Sequence, residues 1–399
     1  AEAVDVLFLS QGVPDDLPLV RAARRRGVPL TAMMRLFLQR CPAPVIGITG
    51  SAGKTTTTAL LGDIFTAAKR PLFVGGNIGA GLLTALAEIT PDISVVLEIS
   101  HTQLVRTERS PHLAAVLNVT PNHLDQFRWD DYVDLKRNLV RYQSPANVVV
   151  LPTDNETARA FQANTPARPY FFGLEELPGE GATVQDDHVV VVRDRGAEAV
   201  VPLSAIRVPG EHNLRNVLAA VAIAAAWGLP ASAMADAIAA FRGVPHRLQT
   251  VAEVDGIRYI DDSIATAPER TVAALRAIDR PVVLLLGGRE KRLPLGALAQ
   301  VAFERVRCVV SFGEAGPLFS AGLREHWAGR AGAPSIRETQ DLPTAVRAAR
   351  AQAQAGDAVL LSPAGTSFDA YDNFAARGDH FAALVRQLHS PQEADDGPR

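Results

Sequence analysis

Residues 45–56 read Val-Ile-Gly-Ile-Thr-Gly-Ser-Ala-Gly-Lys-Thr-Thr. An apolar run suited to a buried strand meets a glycine-punctuated turn, and a Lys-Thr pair then opens a helical stretch over residues 55–68. No other feature constrains the fold as strongly. A strand that passes through a tight glycine turn into a helix builds an α/β layer and aims backbone N–H groups at one point. Such a point can hold phosphate, with Lys54 neutralising the outer oxygens and the Thr55 hydroxyl reaching Mg²⁺. The spacing departs from the standard Gly-x-x-x-x-Gly-Lys-Ser/Thr because position 48 is Ile. A plain strand-to-helix turn carrying a solvated lysine is the competing reading. The nucleotide reading assigns Gly50, Ser51, Ala52, Gly53, Lys54, Thr55 and Thr56 to the bound phosphates.

The same alternation continues along the chain and predicts α/β layers with largely parallel sheets. Strands are expected over residues 45–49, 95–99, 115–119 and 148–151, with helices over 55–68 and 132–142. Residues 182–201 alternate like an antiparallel hairpin set before a helical block, 213–227 and 231–241. Gly243-Val244-Pro245 punctuates the chain. A second α/β unit follows, with strands near 258–261, 282–286, 309–312 and 358–361. The tail from Ser390, rich in Pro, Gly and acids, is expected to fray. The chain opens without Met on an apolar run, residues 4–10, which reads as a strand belonging to a sheet begun upstream.

Composition removes several classes of function. The 40 basic and 43 acidic residues leave a net charge of −3, so no basic excess advertises a nucleic-acid surface. Two cysteines, Cys41 and Cys308, make neither a disulfide framework nor a metal-ligand set. The longest apolar stretch, Val217 to Leu229, stops at Pro230, short of the ~18 residues a membrane span needs. Residues 1–30 mix acids with Arg24-Arg25-Arg26, unlike a signal peptide. The expectation is a cytoplasmic, multidomain enzyme with no nucleic-acid or membrane partner.

The Thr-Gly-x-x-Gly-Lys-Thr spacing resembles the ATP loop of the Mur ligase and folylpolyglutamate synthase superfamily. Further blocks follow in the family's order: Gly75-Gly76-Asn77, Leu97-Glu98-Ile99-Ser100, Leu117-Asn118-Val119-Thr120 with His123-Leu124-Asp125, and Glu211-His212-Asn213 through Asn216. Pro245-His246-Arg247, Asp261-Asp262-Ser263, Leu361-Ser362-Pro363-Ala364 and Arg377-Gly378-Asp379-His380-Phe381 complete the series. The ending, with Ser367-Phe368-Asp369, looks like the branch that adds glutamate to UDP-N-acetylmuramoyl-L-alanine. The resemblance spans the chain from about Ser10 to Phe381. It implies a three-domain architecture: residues 1–38 as the remnant of a UDP-binding domain, 39–243 as a phosphate-loop ATPase domain, and 244–399 as a Rossmann-like glutamate-binding domain.

Two residues make chemical sense on their own. Glu98 ends a buried strand and His123 follows another, so parallel pairing brings both to the sheet edge beside the phosphate loop. There they suit Mg²⁺ around ATP phosphates; taken alone they read as a satisfied strand-end Glu and a turn His, and the phosphate loop beside them favours the metal reading. Lys136 alone reads as a solvated helix lysine. The resemblance makes it the lysine that carries a CO₂-derived carbamate, which turns a cation into an oxygen ligand for one of two Mg²⁺ ions. It also places Asn77 near the phosphates, Asn213 and Asn216 at the base, Arg247 by the phosphates and Asp262 at the ribose. Thr266, Lys291, Ser367 and Phe374 would hold glutamate, Ser10 and Gln11 the uridine side, and Ser100 and Gln103 the muramoyl substrate.

The implied reaction is amide ligation by a monomer. The alanyl carboxylate attacks the γ-phosphate to give an acyl phosphate and ADP, the glutamate amine attacks the activated carbonyl, and phosphate leaves. A hinge around residues 243–247 would close the site against water. One departure bears on specificity: the family commonly has lysine where this chain has Ile264, and an L-glutamate-adding branch carries Ile there. D-glutamate addition, L-glutamate addition and a non-catalytic nucleotide-binding role are the readings carried forward.

Overall fold

Contacts within the computed structural model divide the chain into two units, Ala1–Gly243 and Val244–Arg399. The structure describes residues 4–388 except 12, 14, 78–80, 122–126 and 292. His123 therefore lies outside the described residues, as does the tail from Ser390.

The strands of the first unit are β1 (Leu7–Leu9), β2 (Leu30–Ala32), β3 (Val45–Thr49), β4 (Leu72–Gly76), β5 (Ser94–Glu98), β6 (Leu113–Val116), β7 (Val148–Pro152), β8 (Arg168–Phe172), β9 (Gly181–Gln185), β10 (His188–Arg193) and β11 (Gly196–Pro202). β1 pairs in parallel with β2 in a small sheet of its own. The others form a nine-stranded sheet in the order β11-β10-β9-β8-β7-β6-β3-β5-β4, parallel from β4 to β9 and antiparallel beyond. The expected hairpin over 182–201 is thus a three-stranded meander closing one edge of a mostly parallel sheet.

Every residue of β3 is buried, as a strand covered on both faces requires. Ile46 and Ile48 pack with helices Lys54–Ala67, Glu211–Ala226 and Ala231–Ala240. Val45 faces the other way, toward helices Met33–Arg40 and Trp129–Arg141. The chain leaves β3 toward the first face and β6 toward the second. The crevice between these neighbours is therefore a topological switch point, where open α/β sheets bind ligands.

β6 stops at Val116, short of the expected residue 119. Leu117 N–H still bonds the Thr49 carbonyl (2.9 Å), but the Asn118 carbonyl turns away to accept from Ser51 N–H (3.0 Å). Those residues brace a loop instead of extending a ladder.

The second unit holds β12 (Gln249–Val254), β13 (Ile257–Asp261), β14 (Val282–Gly287), β15 (Val306–Phe312), β16 (Ser335–Glu338) and β17 (Ala358–Ala364). Their order is β12-β13-β17-β14-β15-β16, parallel except for β12 at the edge. Helices Pro268–Ala277, Gly296–Arg305 and Gly316–Trp327 cover one face, and Leu342–Gln352 and Phe374–Gln387 the other. No helix among the described residues is long and apolar enough to cross a membrane. The apolar run from Val217 instead lies inside helix Glu211–Ala226, buried against the sheet.

Leu218, fully buried in that helix, tests the packing. Leu218→Ala should lower stability by about 2–5 kcal/mol through lost transfer energy and a residual cavity. Denaturant unfolding checks this, and a loss below about 1 kcal/mol would mean that the helix does not cover the sheet.

Candidate active site

The loop between β3 and helix Lys54–Ala67 is held from three sides. Ala52 N–H donates to Asn118 Oδ1 (2.9 Å), and Asn118 Nδ2 returns a bond to the Ala52 carbonyl (3.1 Å). Ser51 Oγ bonds the Tyr132 hydroxyl (3.0 Å) and the Thr120 carbonyl (3.0 Å) and accepts from Thr120 N–H (3.0 Å). The third side is steric. Gly53 has φ +84°, and a Cβ there would collide with Asn216 Oδ1. The left-handed backbone alone favours glycine, and the asparagine removes any alternative. With the loop so fixed, its N–H groups and the helix N-terminus are preorganised for an anion.

Two lysine nitrogens converge on one carbonyl. Lys54 Nζ donates to Gly50 O at 2.8 Å, and Lys136 Nζ donates to the same oxygen at 3.0 Å. Lys136 is 1% exposed, and its Nζ stands 4.8 Å from the centre of the Tyr132 ring. Burial, reinforced by the Lys54 charge, pushes its pKa down to about 7. The amine is therefore substantially neutral near physiological pH, the form that reacts as a nucleophile. A solvated helix lysine, the other reading open from the sequence, is excluded by this burial.

Glu98, at the end of β5, is also 1% exposed. Its Oε1 accepts from Asn77 Nδ2 (2.9 Å), while Asn77 N–H bonds the Glu98 carbonyl (2.7 Å). Glu98 Oε2 is buried without a hydrogen-bond partner. A buried carboxylate oxygen without a donor is costly, and a hard cation is the group that suits it. Among the described residues no group of three or more His, Cys, Asp and Glu side chains could hold a metal ion.

Asn213 and Asn216 begin helix Glu211–Ala226. Asn213 Nδ2 bonds the Pro209 carbonyl (2.7 Å), and Asn216 Nδ2 reaches Asn213 Oδ1 at 3.4 Å. Arg215 between them is ion-paired with Asp154 and Glu211, orienting this helix end. Ser100 and Gln103 form a reciprocal cap on helix His101–Leu104: Ser100 N–H donates to Gln103 Oε1 (2.9 Å), and Gln103 N–H to Ser100 Oγ (3.4 Å). Ser10 and Gln11 are exposed after β1. Nearby, Arg106 binds the Val13 carbonyl at 2.8 Å and also pairs with Asp15.

In the second unit the predicted residues gather at the C-terminal ends of β13, β14 and β17. Lys291 Nζ donates to Thr266 Oγ1 (3.1 Å), and Arg289 and Thr366 exchange two backbone bonds of 2.8 Å. Ser367 is buried, and the Phe374 ring meets His246 edge-on at 6.2 Å. Asp262 is buried, accepting from Ser362 Oγ (2.8 Å) and Leu248 N–H (3.2 Å). Burial outweighs those bonds and the nearby Arg247 charge, raising its pKa to about 7.

Two features escaped the sequence reading. Arg377 is wholly buried, and its guanidinium donates to Ser263 Oγ and to the Ser263, Gly365 and Thr366 carbonyls at 2.9–3.2 Å. Burial pushes its pKa down to about 10. Gly288, at φ +91°, has no room for a Cβ against Thr366 O and Arg377 Nη1. The second feature is a hydrogen bond of 2.7 Å from His246 Nδ1 to Asp261 Oδ2, which raises the His246 pKa. The spacing Arg377, Phe381, Val385 on one helix face was the available signal for the arginine.

A braced glycine turn at a switch point, with a depressed lysine and an orphaned carboxylate beside it, defines an α/β protein suited to phosphate and a hard cation. Comparison with known proteins narrows this class. Residues 48–224 match the family described as Mur ligase middle domain, and residues 246–365 match the Mur ligase, glutamate ligase domain. The UDP-N-acetylmuramoylalanine–D-glutamate ligase of Symbiobacterium thermophilum is 44% identical over 387 residues, 96% of this chain and 84% of that protein. The protein of the same name from Acetivibrio thermocellus is 37% identical over 390 residues, 97% and 83% of the two chains. Among solved structures, MurF from Acinetobacter baumannii superposes with a TM-score of 0.57 at 19% identity, covering 96% of this chain and 90% of that one. E. coli FolC in complex with DHPP and ADP gives 0.58 at 19%, covering 90% and 92%. The chain belongs to the Mur ligase family.

The lysine pKa gives a directional prediction. With a folded value of about 7 against 10.5 for the free side chain, the folded state binds fewer protons between those pH values, so stability rises with pH across that window. Below about pH 7 both states are protonated and the folded protein carries the full cost of the buried charge. Lys136→Met should therefore stabilise most below pH 7, with the gain shrinking toward pH 10.5. Denaturant titrations in CO₂-free buffer at several pH values measure it, and a constant gain would contradict the shift.

Proposed function

We propose that this chain ligates D-glutamate to UDP-N-acetylmuramoyl-L-alanine at the expense of ATP, a step of peptidoglycan precursor synthesis. The names of relatives at 34–44% identity carry the substrate choice. Ile264 left D- and L-glutamate open, and those relatives favour the D-enantiomer. The structural observation that supports the reading most is the convergence of Lys54 and Lys136 on the Gly50 carbonyl.

In this reading the loop from Gly50 to Thr56 is a phosphate loop whose N–H groups hold the ATP phosphates. Lys54 swings from the Gly50 carbonyl to the outer phosphate oxygens and disperses the charge that develops as the alanyl carboxylate attacks. Asn213 and Asn216 serve the adenine end. Arg247 and Asp262 of a Rossmann-like second unit serve the phosphates and ribose. Thr266, Lys291, Ser367 and Phe374 take glutamate, whose neutral amine attacks the acyl phosphate and expels phosphate. Ser10 and Gln11 would contact the uridine side, and Ser100 and Gln103 the muramoyl chain from the capped turn that already orients them.

Thr55, Glu98, His123 and a carbamylated Lys136 would hold Mg²⁺. When bound, the metal supplies positive charge to the transferring phosphoryl group. The carbamate follows from the lysine's environment: the neutral Nζ lone pair forms an N–C bond to CO₂, and the nitrogen loses a proton. An ammonium that would repel metal becomes a carboxylate-like ligand.

Phosphate release should depend on ATP, Mg²⁺, UDP-N-acetylmuramoyl-L-alanine and D-glutamate together, with L-glutamate inactive. Lys54→Ala should lower it about 10²–10³-fold, the usual cost of one transition-state charge partner. Equal turnover with both enantiomers, or phosphate release without the muramoyl substrate, would sink the reading. ¹³CO₂ should give a carbamate resonance that Lys136→Ala abolishes. An unchanged resonance in that variant would remove the carbamate from Lys136.

A further inference from the structure

The rim of the second unit's sheet carries two cations that share one neighbourhood. Lys291 donates to Thr266 Oγ1 at 3.1 Å. Arg270, in the first turn of helix Pro268–Ala277, sends Nη1 to the carbonyl of Ile264 at 3.4 Å. A single residue, Ala265, separates that carbonyl's residue from Thr266, so both cations contact the same short loop. They also sense each other: burial first, and then the Arg270 charge, push the Lys291 pKa down, against the opposing pull of Glu269. Both side chains are exposed, and among the described residues neither enters an ion pair.

Two like charges held over one loop, with only the Coulombic pull of Glu269 and no ion pair against them, leave room for an anion. A 3.4 Å bond from an exposed arginine to a carbonyl adds little to folding, so stability does not explain the arrangement. On that loop Ile264 is half-buried and apolar, and offers no charge of its own. Glutamate brings two carboxylates, and Lys291 with the Thr266 hydroxyl satisfies one of them. The other needs a cation on the same rim, and a guanidinium offers a planar pair of N–H donors that match a carboxylate.

We propose that Arg270 is a substrate-binding residue: together with Lys291 it forms the pair of cations that holds the two carboxylates of the incoming glutamate, supplying the charge that Ile264 lacks. The proposal rests on the ligase reading above and assigns the second anion contact within it. Arg270 acts on ground-state capture of the amino acid, so its effect belongs in KM for glutamate and not in the use of ATP.

The test is steady-state phosphate release by the full chain with D-glutamate varied at saturating ATP and muramoyl substrate. Arg270→Ala should raise KM for D-glutamate about ten-fold or more, the usual scale for one charge-assisted bond, with KM for ATP within two-fold. Adding Ile264→Lys to that variant should recover much of the loss, because a cation returns to the same loop. D-glutamine, which replaces one carboxylate with an amide, should be a much poorer substrate than D-glutamate for the parent chain and less disfavoured by Arg270→Ala. A KM for D-glutamate within two-fold of the parent overturns the proposal while leaving the ligase intact. An equal rise in both KM values also overturns it, as the mark of a merely structural residue. Absence of glutamate-dependent release in the parent chain overturns the ligase reading itself, and this assignment with it.

Discussion

One carbonyl oxygen, that of Gly50, accepts from two lysine nitrogens. This arrangement is held because the surrounding structure fixes Lys136 and the turn. Buried Lys136 cannot escape to water, and the braced turn cannot move the carbonyl away. Low polarity and like charge then act together on Lys136, and the lysine lowers its free energy by giving up a proton. The sheet order matters for the same reason. β3 and β6 send their chains to opposite faces, which opens the crevice beside the turn that carries Gly50.

The second unit uses a comparable device with the opposite sign. Asp262 is enclosed until its carboxyl titrates at about 7, while Arg377 sits in the interior among carbonyls. A buried guanidinium that satisfies several carbonyls joins loops which share no sheet ladder. It ties Ser263 to Gly365 and Thr366, and the Thr366–Arg289 exchange extends the connection toward Lys291. The rim that carries Lys291 is therefore positioned by an interior cation that does not itself face the solvent.

Much of this was legible in the sequence, for identifiable reasons. The strand–turn–helix at residues 45–56 is local, and local patterns survive folding. Strands β3, β5, β7, β14 and β17 are continuous apolar runs, the mark of parallel strands covered on both faces. What went unread depends on distant partners. β16, exposed along most of its length at a sheet edge, has no apolar run to reveal it, and β12 pairs at the other edge with only partial burial. The bond between Asn118 and Ala52 joins segments far apart in sequence, and the burial of Lys136 depends on elements on both sides of it. No window of residues contains either fact. Arg377 is the instructive case, because its helical spacing with Phe381 and Val385 pointed inward, while its charge argued for the surface.

The close approach of Asn216 to Gly53 also bears on how the chain is made. Helix Glu211–Ala226 follows all the strands of the first unit, and it supplies both a cover for one face of the sheet and a wall of the glycine turn. During synthesis, a chain that has emerged only through β11 holds every strand of that sheet but leaves one apolar face covered only by helix Lys54–Ala67, and the turn without its Asn216 wall. Completion of the site is thus among the last events in the biogenesis of this unit. The interval before helix Glu211–Ala226 docks is the period in which the nascent chain most needs protection from association.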